Sequence, residues 1–231
     1  MALTQAIAVS GVQLLKLRLL GRMQALARET GEAGFVLPVA LCLLADQALG
    51  GEITAQELAR HFKLTDFEAR NLVDFYFLGW SVAGAKDGAK ELRFDERSFQ
   101  GFRQALRAAG VRDAGGLADL ILVDASYVGG TVHLKFSAAI RIDLSAAVRQ
   151  KQFVSVGGVL QSLLDAIAGL RSQGRADFGA DFRLNEPLGL AVGKRSLLDW
   201  LFAGWGACLG ARNVADLAVR DLGPDLRLMD L

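Results

Sequence analysis

Apolar side chains recur along this chain at two periods, one near 3.6 and one of 2, and the switch between them separates the expected elements. Leu14, Leu15, Leu17, Leu19, Leu20, Met23 and Leu26 alternate with Lys16, Arg18, Arg22 and Arg28, and no acidic residue occurs before Glu29. Residues 3–28 therefore read as one amphipathic helix with a wide apolar face. Residues 35–49 read as a second helix, with Pro38 in its first turn and Gly50-Gly51 closing it. Ala55, Leu58, Ala59 and Phe62 mark one helical stripe over 54–64, and Ala69, Leu72, Val73 and Tyr76 another over 66–78. Lys86-Asp87-Gly88 then lies between two short strand-like arms at 81–83 and 91–94, the signal of a hairpin. A helix over 98–109, stopped by Gly110, completes this half.

Beyond Gly115-Gly116 the period shortens. Residues 117–123 read as a buried strand or short helix. Val132, Leu134, Phe136, Ala138, Ile140, Ile142 and Leu144 alternate without a break against His133, Lys135, Ser137, Ala139, Arg141 and Asp143. That is the clearest strand signal in the chain, long enough to require a bend near residues 137–139. A helix is expected over 155–172, a strand through Phe178, Ala180, Phe182 and Leu184, a nearly all-apolar helix over 197–209, and a closing strand at Leu226 and Leu228. Strands mixed with helices without a regular βαβ rhythm indicate an α+β fold with a mostly antiparallel sheet.

Two helix-start boxes stand eleven residues apart, Thr54-x-x-Glu57 and Thr65-x-x-Glu68. In each, the hydroxyl accepts from a free N–H of the first turn and the glutamate reaches back to the cap. With the hairpin that follows, residues 35–95 resemble the winged helix-turn-helix superfamily. The resemblance implies a helical N-terminal domain whose second helix, 66–78, is available to a major groove, and a wing able to touch the backbone. Off its core stripe that helix carries Asp66, Phe67, Glu68, Arg70, Asn71, Asp74, Phe75 and Phe77, a face richer in acids and rings than in cations. The run 51–76 is also similar to the helical part of thioredoxin-like iron–sulfur subunits of NADH dehydrogenases, but the cluster cysteines are missing. The expected organisation is thus an amphipathic arm (1–33), a winged-helix-like domain (34–114) and an α+β domain (115–231).

Composition narrows the function classes. Of 231 residues, 52% are hydrophobic and the formal net charge is +1, so no strongly basic surface for phosphate neutralisation is expected. The charge is even along the chain, with nine basic and ten acidic side chains in residues 34–110. The uncharged apolar runs 34–45 and 200–211 fall short of the ~20 residues that span a bilayer. Without a secretory leader pattern, a cytoplasmic location is expected, with Cys42 and Cys208 as small buried hydrophobes. These two and His61 and His133 are scattered, so no metal and no cofactor are expected.

Candidate chemistry is thin. Gly189 to Ser196 departs from the phosphate-loop spacing, because three residues separate the glycines and Arg195 precedes the serine. Asp124 ends a buried strand, where a turn cap is the more common role than catalysis. His133, Lys135 and Arg141 at even spacing are expected on one face, either a solvated side or an anion surface. The leading reading is a non-enzymatic assembly module that contacts a protein partner through Phe67, Asn71, Asp74, Phe75 and Phe77. It is expected to form a homo-oligomer through Trp200, Ala203, Trp205 and Gly206, while its α+β domain oligomerises or senses a ligand. The alternative is a ligand-responsive DNA-binding regulator using Arg70, Asn71, Lys86, Lys90 and Arg93, and the third an enzyme with a cleft in the second domain. Residues 3–28 offer a further surface, for a partner or a membrane interface.

Overall fold

The computed structural model describes residues 6–31, 34–46, 74–84, 90–112, 116–145, 218–220 and 222–231. Within them the chain is α+β, built on one seven-stranded sheet. The elements in chain order begin with β1 (Ala6–Val9), α1 (Val12–Thr30), β2 (Gly34–Leu44), β3 (Asp74–Leu78) and β4 (Trp80–Gly84). They continue with β5 (Lys90–Phe94), α2 (Glu96–Ala108), β6 (Ala118–Val128), β7 (Thr131–Asp143), β8 (Ala218–Arg220) and β9 (Leu226–Arg227). A 3₁₀ turn follows at Leu228–Asp230.

The large sheet runs β1-β3-β2-β6-β7-β8, with β9 also on β7, and β4–β5 form a separate two-stranded hairpin. β1, β3 and β2 are mutually parallel, whereas β2, β6 and β7 pair antiparallel. Strands from both sides of the expected boundary after residue 114 thus share this sheet.

Both helices bury their apolar stripes on one face of it. Leu15, Leu19 and Met23 of α1 and Phe99, Phe102 and Leu106 of α2 join Leu37, Val39, Leu41, Tyr76, Leu78, Ile121, Val123, Leu134 and Phe136 in a single core. The opposite face is buried as well, through Ala40, Cys42, Leu44, Phe75, Leu120, Leu122 and Ile142.

That double burial corrects the expected helix over 35–49, whose residues 34–44 are the strand β2. A strand covered on both faces is apolar at every position, so its sequence has no period-2 signature to set it apart from a buried helix. Pro38 lacks an N–H, and it stands one residue before β2 begins to pair with β3 at Val39. The expected single helix over 3–28 divides into β1 and α1, with Gly11 as the extended cap of α1. The last five residues of the expected helix 66–78 are the buried strand β3. Of the winged-helix expectation, the hairpin forms where the wing was placed, pairing Trp80 with Phe94 and Val82 with Leu92. Residues 54–64 and 66–73, the rest of the helix pair, lie outside the described residues, as do 155–172, 178–184 and 197–209.

Gly79 joins β3 to β4 with φ +87, a left-handed conformation suited to glycine. A Cβ there would stand 2.7 Å from Phe99 Cβ, so α2 can approach only because the side chain is absent. Asp95 starts α2, accepting from Arg97 N–H at 3.0 Å and Ser98 Oγ–H at 2.6 Å. This cap moves the helix start to Glu96, two residues ahead of the expected one.

β7 contains the bend that its length required, in the form of a bulge. Leu122 pairs with Ile140 but Asp124 with Lys135, so three extra residues are accommodated on β7. An odd insertion reverses the side-chain phase. Val132, Leu134 and Phe136 face the helices, and beyond the bulge Ala139 and Arg141 do. Ile140 and Ile142 turn to the other face. The expectation that His133, Lys135 and Arg141 share a face is therefore corrected. The C-terminal segment holds the bulge: Ser137 N–H and Oγ–H both donate to Asp225 Oδ1, at 3.0 and 2.7 Å. Leu222 N–H donates to Phe136 O at 3.0 Å.

Candidate interaction surface

α1 is pinned to the domain at two points by charge. Arg22 Nε donates to Asp74 Oδ2 of β3 at 2.9 Å, with both side chains almost fully buried. Lys16 Nζ donates to the carbonyl of Met229 at 2.8 Å, which draws the C-terminal turn against the flank of the helix. Tyr76 stands two residues from Asp74 on the same strand; burial, and then the Asp74 carboxylate, push its phenol well above the ordinary value. A second buried group ties α2 to the sheet. Arg103 donates to Asp119 Oδ2 at 3.2 Å and to Gly116 O, while Arg141 Nε stands 3.9 Å from Asp119 Oδ1. The Arg103 guanidinium also lies over the Phe99 ring, 5.3 Å from its centroid. Both groups cross-link secondary structure, and their charges are spent inward.

The opposite side of α1 is different. At about 100° per residue, positions 17, 21 and 28 fall on the side directly away from Leu15, Leu19 and Met23. These positions hold Leu17, Gly21 and Arg28, with Arg18 and the half-buried Ala25 at the border. Leu17 is 68% exposed. Gly21 is exposed, and a side chain there would meet nothing within 4 Å. A mid-helix glycine costs about 0.5–1 kcal/mol relative to alanine. Here alanine would fit without a clash, so the interior of this domain gives no reason for the glycine. Leu14 is shared between this side and the core. The helix closes at Gly31, in the left-handed conformation, whose N–H donates to Ala27 O at 3.0 Å.

The expected site residues are distributed otherwise. Asp74, Phe75 and Phe77 were expected on an exposed helix face, and all three are buried in β3. Their strand lies between β1 and β2, where each side chain enters one of two covered faces. Arg93 is exposed on β5 and Lys90 begins that strand. Phe67, Arg70, Asn71, Lys86, Trp200, Ala203, Trp205 and Gly206 lie outside the described residues. Cys42 is buried as expected, and burial raises its thiol pKa. Among the described residues no helix is long and apolar enough to cross a membrane, and no group of three or more His, Cys, Asp or Glu residues could hold a metal ion. The sequence offers residues 3–28 as a surface for a partner or a membrane interface without separating Leu17 from the apolar stripe; its position opposite Leu15 and Leu19 is the signal that sets it on the exposed side.

No family model, no curated protein and no solved structure matches this chain.

Proposed function

We propose that this protein is a cytoplasmic assembly module whose work is to bind another protein. The observation that carries this reading is the outer face of α1. The helix already fills the core with one side, yet it holds Leu17 in solvent on the other, beside an open Gly21 and between two exposed arginines. A rigid apolar spot rimmed by charge is the usual form of a protein-binding surface. Met229, 60% exposed on the turn that Lys16 holds against α1, is a further exposed apolar side chain beside this helix. The near-neutral charge supports a protein rather than a nucleic-acid partner.

The β4–β5 hairpin, with Arg93 exposed on its second strand, supports a second reading as a DNA-binding regulator. One experiment separates them. A photo-reactive amino acid placed at position 21, in cells making the full chain, is expected to give a covalent adduct with a protein. Absence of any adduct, together with submicromolar binding of random duplex DNA and a steep salt dependence, would transfer the assignment to the regulator.

A further inference from the structure

β7 has two registers open to it on β6, and the C-terminal segment holds it in one. We infer that β8 together with residues 222–231 acts as a strap: docked, it enforces the bulge of β7, and released, it lets the strand straighten. The first support is the alternation over residues 132–144, which is unbroken and suits a strand without a bulge. Near the hairpin the pairs are Ala125 with Leu134 and Asp124 with Lys135. Continued step for step, that register would set Leu122 against Ser137, Ile121 against Ala138 and Asp119 against Ile140. Instead Leu122 meets Ile140 and Ile121 meets Arg141, three residues further on. Burial discriminates weakly between the two registers, because both faces of the sheet are covered and Ile140 and Ile142 suit either.

The second support lies on the other edge of β7. The C-terminal segment keeps one register across the whole bulge, pairing Leu134 with Leu226 and Ile140 with Arg220, six positions apart on each strand. Over the same stretch β6 advances only three positions, from Ala125 to Leu122. The strap therefore grips β7 on both sides of the bulge and is itself gathered in between. Its path there is fixed. Leu222 is buried, its N–H donates to Phe136 O at 3.0 Å, and its carbonyl accepts from Arg112 N–H at 2.6 Å. Gly223 lies so close to the Gly110 carbonyl that a Cβ would collide with it, and Asp225 takes both donors of the exposed Ser137. Straightening β7 would move Ile140 by three residues along β6, about 10 Å at 3.3 Å per residue. The strap can follow only by leaving Gly110 and Ser137. The register also decides what Asp119 meets: with the bulge Arg141 Nε stands 3.9 Å from its Oδ1, and without it Arg141 turns to the other face. Docking of the strap is thereby coupled to the charged group at the base of α2.

The test is to read cross-strand proton contacts by NMR in the full chain. The native protein should show Ile121 against Arg141. Gly223→Ala with Asp225→Ala removes the close approach to Gly110 and the bonds to Ser137, so the Leu222 amide should exchange at least tenfold faster and Ile121 should come against Ala138. Ser137→Val approaches from the other side. It deletes one donor to Asp225 and supplies an apolar residue for the buried face opposite Leu122, so by linkage it should straighten β7 and release the strap together. A released strap with Ile121 still against Arg141 overturns the inference, because the bulge then belongs to β6 and β7 alone. So does a Ser137→Val chain in which either the strap or the register stays native. Should the double variant unfold, Ser137→Val decides together with hydrogen exchange of the native chain in dilute denaturant. There the amides of Leu222 and Arg141 should open as one unit, and separate opening overturns the coupling.

Discussion

Arg22 and Asp74 show how a residue's meaning depends on what it meets. Each is an ordinary surface type, and each is almost completely buried because the other neutralises it at 2.9 Å. Removing one partner leaves a desolvated charge, so Arg22→Ala should cost about 3–5 kcal/mol. Replacing both, as Arg22→Met with Asp74→Leu, should recover most of that. Urea midpoints of the two variants decide it; a loss below about 1 kcal/mol for Arg22→Ala would mean that the pair is effectively solvated. Asp95 acts at the surface instead. Its bonds from Ser98 and the Arg97 N–H hold the carboxyl pKa below the ordinary 3.8. A depressed folded-state pKa gives stability that is present above 3.8 and disappears as the pH falls through the lower, folded-state value. Asp95→Ala should therefore lower Tm at neutral pH, and the gap from the native protein should close in strong acid. A gap independent of pH would show that the charge contributes nothing to the cap. An acidic cap of this kind is a local matter, since Asp95 stands only two and three residues ahead of Arg97 and Ser98, although the expected helix begins at Ser98. The burial of Asp74 is not, because Arg22 is fifty-two positions away.

At the scale of elements, α2, the β4–β5 hairpin and β7 were legible, each through a local signal. α2 has a sharply divided surface, the hairpin has its Asp-Gly turn signal, and β7 alternates over thirteen residues. β2 and β3 were illegible as strands because neither has a wet side to impose alternation. The bulge in β7 was half legible. Its length demanded a bend, but the phase reversal follows from contacts with Asp225 and Leu222, far along the chain. Alternation that continues unbroken through Ala138 and Ala139 is compatible with either phase, since both are small. Gly79 makes the joint between β3 and α2 possible. Gly79→Ala would force a Cβ to within 2.7 Å of Phe99 Cβ in a left-handed backbone conformation, and should cost about 1–3 kcal/mol. Denaturation of this variant with an unchanged midpoint would mean that α2 moves away without loss.

For the whole molecule, the sequence by itself determined the class of the fold and several of its parts. Mixed periods require helices and strands together, and local signals place a helix to within two residues of its start, a hairpin and a long strand. It also determined an even charge, since that needs no fold to count. Only the tertiary structure decided that strands from both halves enter one sheet, that the intended contact residues Asp74, Phe75 and Phe77 lie inside it, and that Arg141 faces the helices. It also decided which side of α1 is spare. The division has a physical basis. Caps, turns and amphipathic faces are short-range matters of hydrogen bonds and of one boundary with water, whereas strand order, burial on a second face and ion pairing depend on segments that meet only when the chain has folded.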